Sequence, residues 1–254
     1  MSSVEAPDPV GEVARRHRRA QVAVALVYLG IPVVFLAVTV WISSARTPFA
    51  WPAVVFPVAL LMLGWFLRGR HRYQTGRWIA VGALFGGISV LYTAIYSFVL
   101  DVPALTVALV IGTVFGAFLG AFLGLSAQRA ILAPVLPDLA TTPYEPVFNL
   151  RGMLLTTLTI GTTSVTVRAR TVRARGNPRA DRRTYPLTAI TGVYPTSLTG
   201  SERLRFPIAL PASPISSAGS AMILQAQGED WVLPLDQGPA ITEFLSRRIS
   251  AAKL

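Results

Sequence analysis

The chain has no cysteine, one lysine (Lys253) and two histidines, neither beyond residue 71. The first absence excludes disulfides, a thiolate nucleophile and any sulfur-ligated metal. The lack of histidine after residue 71 excludes a Ser–His catalytic arrangement in the C-terminal half. His17 and His71 fall in arginine-rich segments without neighbouring ligands, so both are expected to be solvated loop residues. Charge is scarce too: 14% of the 254 residues are charged and 52% are apolar, far from an average water-soluble domain. Acids are the scarcer sign, 12 against 23 Lys and Arg, leaving a net charge of +11. The preference for Arg, Ala, Val, Gly and Pro is read as the mark of a GC-rich bacterial genome.

What the chain does have is four long apolar stretches, at 20–42, 48–67, 78–99 and 103–126. Each is long enough to cross a hydrocarbon core of about 30 Å at about 1.5 Å per residue. The first run exceeds the roughly 7 to 15 residues of a signal-peptide core, so it reads as a retained anchor. No Asp, Glu, Lys, Arg or His lies in the core of any span, which argues against an ion-coupled transporter or pump.

Arginines orient the spans. Arg15, Arg16, Arg18 and Arg19 precede the first, and Arg68, Arg70, Arg72 and Arg77 lie between the second and third. The other two connections carry only Arg46 and the acidic Asp101. By the positive-inside rule the N-terminus and everything after the fourth span are cytoplasmic, in a bacterial inner membrane. Trp41 and Trp51 fall at the outer ends of spans and Trp65 and Trp78 near the inner ends, as interfacial indoles do.

Two faces within the spans stand out. Gly112, Gly116, Gly120 and Gly124 recur at every fourth position and line one side of the fourth span, a seam where another backbone approaches closely. Its partner is either another span of the same chain or a second copy. On the third span Ser89, Tyr92, Thr93, Tyr96 and Ser97 share a face. Either they bond neighbouring helices or they line a small ligand path.

The organisation expected is a disordered basic tail over 1–19, a four-helix transmembrane domain over 20–127, a proline-rich linker over 128–147 and a cytoplasmic β-rich domain over 148–254. Pro134, Pro137, Pro143 and Pro146 punctuate the linker and exclude a regular helix or central strand there. Strands are expected over 153–160, 164–172, 185–194, 204–210, 221–227 and 231–235. Gly228, Glu229 and Asp230 are expected as a three-residue hairpin loop. After Pro239, the spacing of Ile241, Phe244, Leu245 and Ile249 predicts an amphipathic helix, with Arg247, Arg248 and Lys253 complementing its C-terminal dipole.

The run of strands, the segment from Tyr185 to Val193 (YPLTAITGV), the terminal hairpin ending in Trp231 to Leu235 (WVLPL) and the closing helix resemble the bacterial PH-like domains attached to transmembrane helices in envelope proteins. That resemblance covers roughly 148–251 and implies a small PH-like barrel with a C-terminal capping helix, acting as an interaction module. It transfers no ligand residue.

The most unusual segment of the β domain is 167–183, VRARTVRARGNPRADRR, with Arg168, Arg170, Arg173, Arg175, Arg179, Arg182 and Arg183 against one acid, Asp181. Val-Arg-Ala-Arg occurs twice at an odd offset, which in a continuous strand aims the second pair of arginines at the opposite face. A bulge, turn or departure from the sheet is therefore expected near Thr171 and Val172, with a loop tip at Gly176, Asn177 and Pro178. Beneath an anionic leaflet each arginine gains about 1 kcal/mol, so these seven are the candidate lipid or partner contacts. No aromatic is interleaved to stack bases, which disfavours nucleic acid.

No paired acid and base, phosphate-cradling loop, metal cluster or cofactor motif is present, so no catalytic residue, metal or cofactor is assigned. The expected function is a multi-pass membrane protein with a cytoplasmic PH-like interaction module, a scaffold or regulator that binds a protein partner or an anionic lipid surface. The alternative is a small oligomeric channel or passive transporter built on the glycine face.

Overall fold

The computed structural model describes residues 9–44, 51–99, 103–153, 156–171, 179–203 and 217–253. Two compact units make up the chain, residues 14–133 and residues 134–254 with 1–13. The first contains helices long and apolar enough to cross a membrane four times, and the protein is a multi-pass membrane protein.

The first span is one continuous helix in three registers: α1 (Pro9–Ala25), a π-helical turn (Leu26–Gly30) and α2 (Ile31–Ser44). Pro32 has no N–H to give the Tyr28 carbonyl, and its ring crowds that oxygen. The helix widens by one residue just before it, with Ile31 N–H donating to Leu26 O in the manner of a π-bulge. The Tyr28 carbonyl lies where a side chain on Gly64 would have to stand, so α3 (Trp51–His71) approaches the first helix there backbone to backbone. Helix begins at Pro9, so part of the expected 1–19 tail is helical, while residues 1–8 lie outside the described ones.

A short turn leads into α4 (Thr75–Val99), with Gln74 N–H donating to His71 O at 3.1 Å and Arg77 N–H to Gln74 O at 3.0 Å. His71 is buried here, and Trp78 Nε1–H donates to its carbonyl at 2.9 Å. Its ring nitrogen Nε2 lies 2.7 Å from Arg77 Nη1. The expectation of a solvated loop histidine is thereby corrected: its carbonyl caps the turn on which the next span starts. The last span, α5 (Pro103–Leu132), continues beyond residue 126 because nothing from Gln128 to Leu132 breaks a helix.

In the second unit, β1 (Val147–Asn149), β2 (Thr156–Ile160), β3 (Ser164–Thr171) and β4 (Arg179–Pro186) form one antiparallel sheet in that order. A second antiparallel sheet contains β5 (Ile190–Leu198), β6 (Gly219–Ala226) and β7 (Glu229–Pro234). The helix α6 (Gly238–Ala252) follows. No closed barrel is formed among the described residues; the strands divide into these two sheets. Alternate residues of β2 and β3 (Leu158, Ile160, Val165, Val167) are buried, as are Met222 and Leu224 of β6 and Ile241, Phe244, Leu245 and Ile249 of α6. Period 2 in the strands and 3.6 in the helix thus supply one core.

Two local expectations need correction. The hairpin between β6 and β7 turns at Gln227 and Gly228, both with positive φ (56° and 78°), and Ala226 pairs with Glu229. A two-residue turn with both centres left-handed matches the strand twist better than a three-residue loop, so Glu229 and Asp230 belong to β7. The expected strand over 185–194 is interrupted by a 3-10 turn at Leu187–Ala189, where Pro186 removes a ladder donor and the chain passes between sheets. Within the proline-rich linker, α5 runs on to Leu132, Pro137–Thr141 is a 3-10 turn and Val147 starts the edge strand β1. Strand 204–210 and the loop tip 176–178 lie outside the described residues.

Candidate functional site

Antiparallel pairing of β3 with β4 sets the arginine segment. Arg168 stands directly opposite Arg182, and Thr166 opposite Thr184, whose hydroxyls lie 3.0 Å apart. By alternation these four residues share the outward face, while Val165, Val167, Ala169 and Tyr185 are buried on the other. Register places Arg170 opposite Ala180, Arg179 opposite Thr171 and Arg183 opposite Val167. Arg168, Arg182 and Arg183 are exposed. Among the described residues no acid pairs with any of them. Like charges directly opposite each other weaken a sheet by roughly 0.2–1 kcal/mol, so this pair costs stability. Pairing of β3 is regular through Thr171, so no bulge occurs before that residue. Val172, Arg173 and Arg175 lie outside the described residues.

The glycines of α5 lie against α4. A methyl group on Gly116 would meet the Gly86 carbonyl oxygen at 2.7 Å, and one on Gly124 would meet the Trp78 carbonyl oxygen at 2.5 Å. Gly120 and Gly82 each occupy the space a side chain on the other would need. Gly112 is looser, with Val90 Cγ1 at 3.4 Å from such a methyl. The close face is thus covered within the chain, and an oligomeric channel built on it would have no free glycine seam. The outer side of α5 carries Ile111, Phe115, Phe118 and Phe122, all strongly exposed, as a lipid-facing surface is.

Hydroxyls of the third-span stripe bond helices together. Tyr92 Oη–H donates to Ala53 O at 3.1 Å and Tyr96 Oη and Ser43 Oγ lie 3.0 Å apart, whereas Thr93 Oγ1–H donates within α4 to Ser89 O at 2.9 Å. Tyr92 also stacks on Phe56, with ring centres 4.6 Å apart. Ser89 Oγ is buried without a partner beside an apolar cleft of ≈ 490 Å³ between the first span, α4 and α5.

Two arginines whose roles the sequence does not show organise the β domain. Arg248, 3% exposed, donates to the carbonyls of Tyr144 (2.9 Å), Thr142 (2.6 Å) and Ile160 (3.2 Å), and more weakly to Ala140, Gly161 and Leu139. Its guanidinium carbon lies 4.6 Å from the centre of the Phe244 ring. Burial pushes it down to about 10, against the opposing pull of Glu145, so it stays charged at neutral pH. The reading of Arg248 as a charge placed to complement the helix dipole is therefore replaced: it is buried among backbone carbonyls. It is an internal anchor that ties α6 to the segment before β1. Its neighbour Arg247 is the exposed one, 2.7 Å from Glu243 and 2.5 Å from Asp138, and hydrogen bonding to Glu243 holds it raised. Arg151 donates to Ser217 Oγ (3.0 Å), Ser217 O (3.1 Å) and Ser220 O (3.0 Å), joining the β1–β2 turn to the strand β6. No spacing rule marks either residue, because backbone carbonyls leave no trace in sequence.

No group of three or more His, Cys, Asp or Glu is arranged to hold a metal among the described residues. The chain matches no protein-family model, no curated protein and no solved structure.

Proposed function

We propose that the protein is a membrane-anchored interaction module whose β domain works at the cytoplasmic face, where its β3–β4 arginines meet an anionic lipid surface. The observation that carries this reading is the exposed Arg168–Arg182 pair, like charges facing each other across two strands. Such a pair costs stability in isolation and gains about 1 kcal/mol per arginine against anionic headgroups. The PH-like character of the domain belongs to the same proposal. It is supported by two antiparallel sheets followed by one amphipathic helix. One-sided arginines in the loops support a cytoplasmic domain in a bacterial inner membrane.

Because Arg182→Glu converts a like pair into an opposite one, it separates function from structure. The substitution is expected to stabilise the domain by about 0.2–1 kcal/mol while removing its response to anionic lipid. The check is hydrogen exchange of β3 and β4 in the full-length protein, in bilayers with and without phosphatidylglycerol. Slower exchange with the anionic lipid, lost in Arg182→Glu, is expected. Identical exchange in both bilayers would refute lipid contact, and a protein that co-purifies with the native chain but not with Arg182→Glu would point to a protein partner instead.

A further inference from the structure

A second arginine site lies in the membrane unit, at the end of α3. Between residues 13 and 137 the sole acid is Asp101, so the four arginines around the α3–α4 turn have no carboxylate close in sequence. Two of the four are fixed by neighbours. Arg77 is engaged with His71, and Arg72 Nε–H donates to Gln21 Oε1 at 3.1 Å while Gln21 Nε2–H returns to Arg72 O at 3.4 Å. Among the described residues the terminal nitrogens of Arg72 make no hydrogen bond, and its guanidinium carbon lies 5.4 Å from the centre of the Tyr73 ring. Arg68 makes no hydrogen bond or ion pair among the described residues.

Between these two guanidiniums opens a cleft of ≈ 340 Å³ lined by Trp65, Arg68, Gly69 and Arg72. Positions 65, 68, 69 and 72 share one face of the helix. At Gly69 nothing lies within 4 Å of where a side chain would begin, so this glycine serves no packing contact and leaves the cleft open. Trp65, 69% exposed, stands one turn toward the apolar part of α3, the position of an interfacial indole. From the membrane outward the face therefore offers an indole and then two unneutralised guanidiniums one turn apart.

We propose that this cleft seats the phosphate of one anionic phospholipid. Guanidinium forks match phosphate oxygens bidentately, and Trp65 provides the apolar surface against which the glycerol and upper acyl chain lie. A free phosphate would satisfy the arginines but leave the indole bare, and a choline headgroup brings its own cation into a site with no acid to receive it. The site uses no residue of the β domain, so it stands or falls separately from the β3–β4 face.

The test is native mass spectrometry of the full-length protein in detergent, titrated with phosphatidylglycerol or phosphatidylcholine. Each arginine at the headgroups is worth about a fivefold preference, so one phosphatidylglycerol should be retained roughly 25-fold more strongly than phosphatidylcholine. Arg68→Gln with Arg72→Gln should remove that preference, Arg68→Lys with Arg72→Lys should keep part of it, and Arg70→Gln, outside the cleft, should keep all of it. Equal losses in the Arg70 variant and the double glutamine variant would overturn the proposal, because general charge would then explain the binding. Displacement of the lipid by millimolar inorganic phosphate would also overturn it, making this a free-anion site.

Discussion

Replacing Arg248 by methionine unfolds the β domain at temperatures where the native chain is intact. Methionine keeps the unbranched stem over Phe244, so little packing volume changes. What disappears is the donor set for carbonyls of Leu139, Ala140, Thr142, Tyr144, Ile160 and Gly161. Each buried acceptor left without a partner costs about 1–3 kcal/mol unless water reaches it. Even with partial rescue the loss should exceed about 3 kcal/mol, among the larger effects a single substitution produces. For a domain of this size that lowers the unfolding midpoint by at least roughly 10 °C. Arg248→Lys keeps the charge but has no planar fork to span so many oxygens, and should fall between the two. Thermal unfolding followed by circular dichroism, with hydrogen exchange of α6 to localise the change, decides the matter. A shift of less than about 2 °C would mean that α6 is held by its apolar face alone.

The second large effect is at the α4–α5 contact. A side chain at Gly120 would have to occupy the place of the Gly82 carbonyl, and backbone cannot yield as a flexible side chain does. Overpacking of this kind costs about 1–3 kcal/mol for an added methyl and more for a larger group. Gly120→Leu should therefore separate the two helices, and Gly120→Ala should already lower the unfolding temperature in detergent. Gly112→Ala meets only Val90 Cγ1 at ordinary contact distance and Gly69→Ala meets nothing, so both should be neutral for stability. Equal tolerance at Gly112 and Gly120 would show that α4 and α5 do not touch through their glycines.

These two contacts differ in how far they could be read from the sequence. The glycine spacing announced a close helix contact, because small residues at every fourth position have few other uses in an apolar helix. Which surface fills the seam was not legible, since Gly82 and Gly86 of α4 are ordinary in isolation. Spans and the closing helix were legible for the same reason, that hydropathy and a 3.6-residue period are properties of the segment alone. Hairpin geometry was legible only approximately: Gln227 gives no signal of a left-handed conformation, and the turn was placed one residue late. Arg248 was misread because charge late in a helix looks like dipole compensation, and only the tertiary fold brings the carbonyls that bury it. His71 was misread likewise, since burial in a turn depends on the helices around it.

The proposed function requires that the β domain, like the α3–α4 turn, lie on the cytoplasmic side of the membrane. Absence of cysteine from the native chain makes it directly measurable with single-cysteine variants. In intact spheroplasts, an impermeant thiol reagent should label Asp101→Cys, while Gly76→Cys and Ser246→Cys, both at exposed positions, should react only after permeabilisation. Labelling of Ser246→Cys in intact spheroplasts would contradict the arrangement, and with it the assignment of the β3–β4 arginines to the cytoplasmic leaflet.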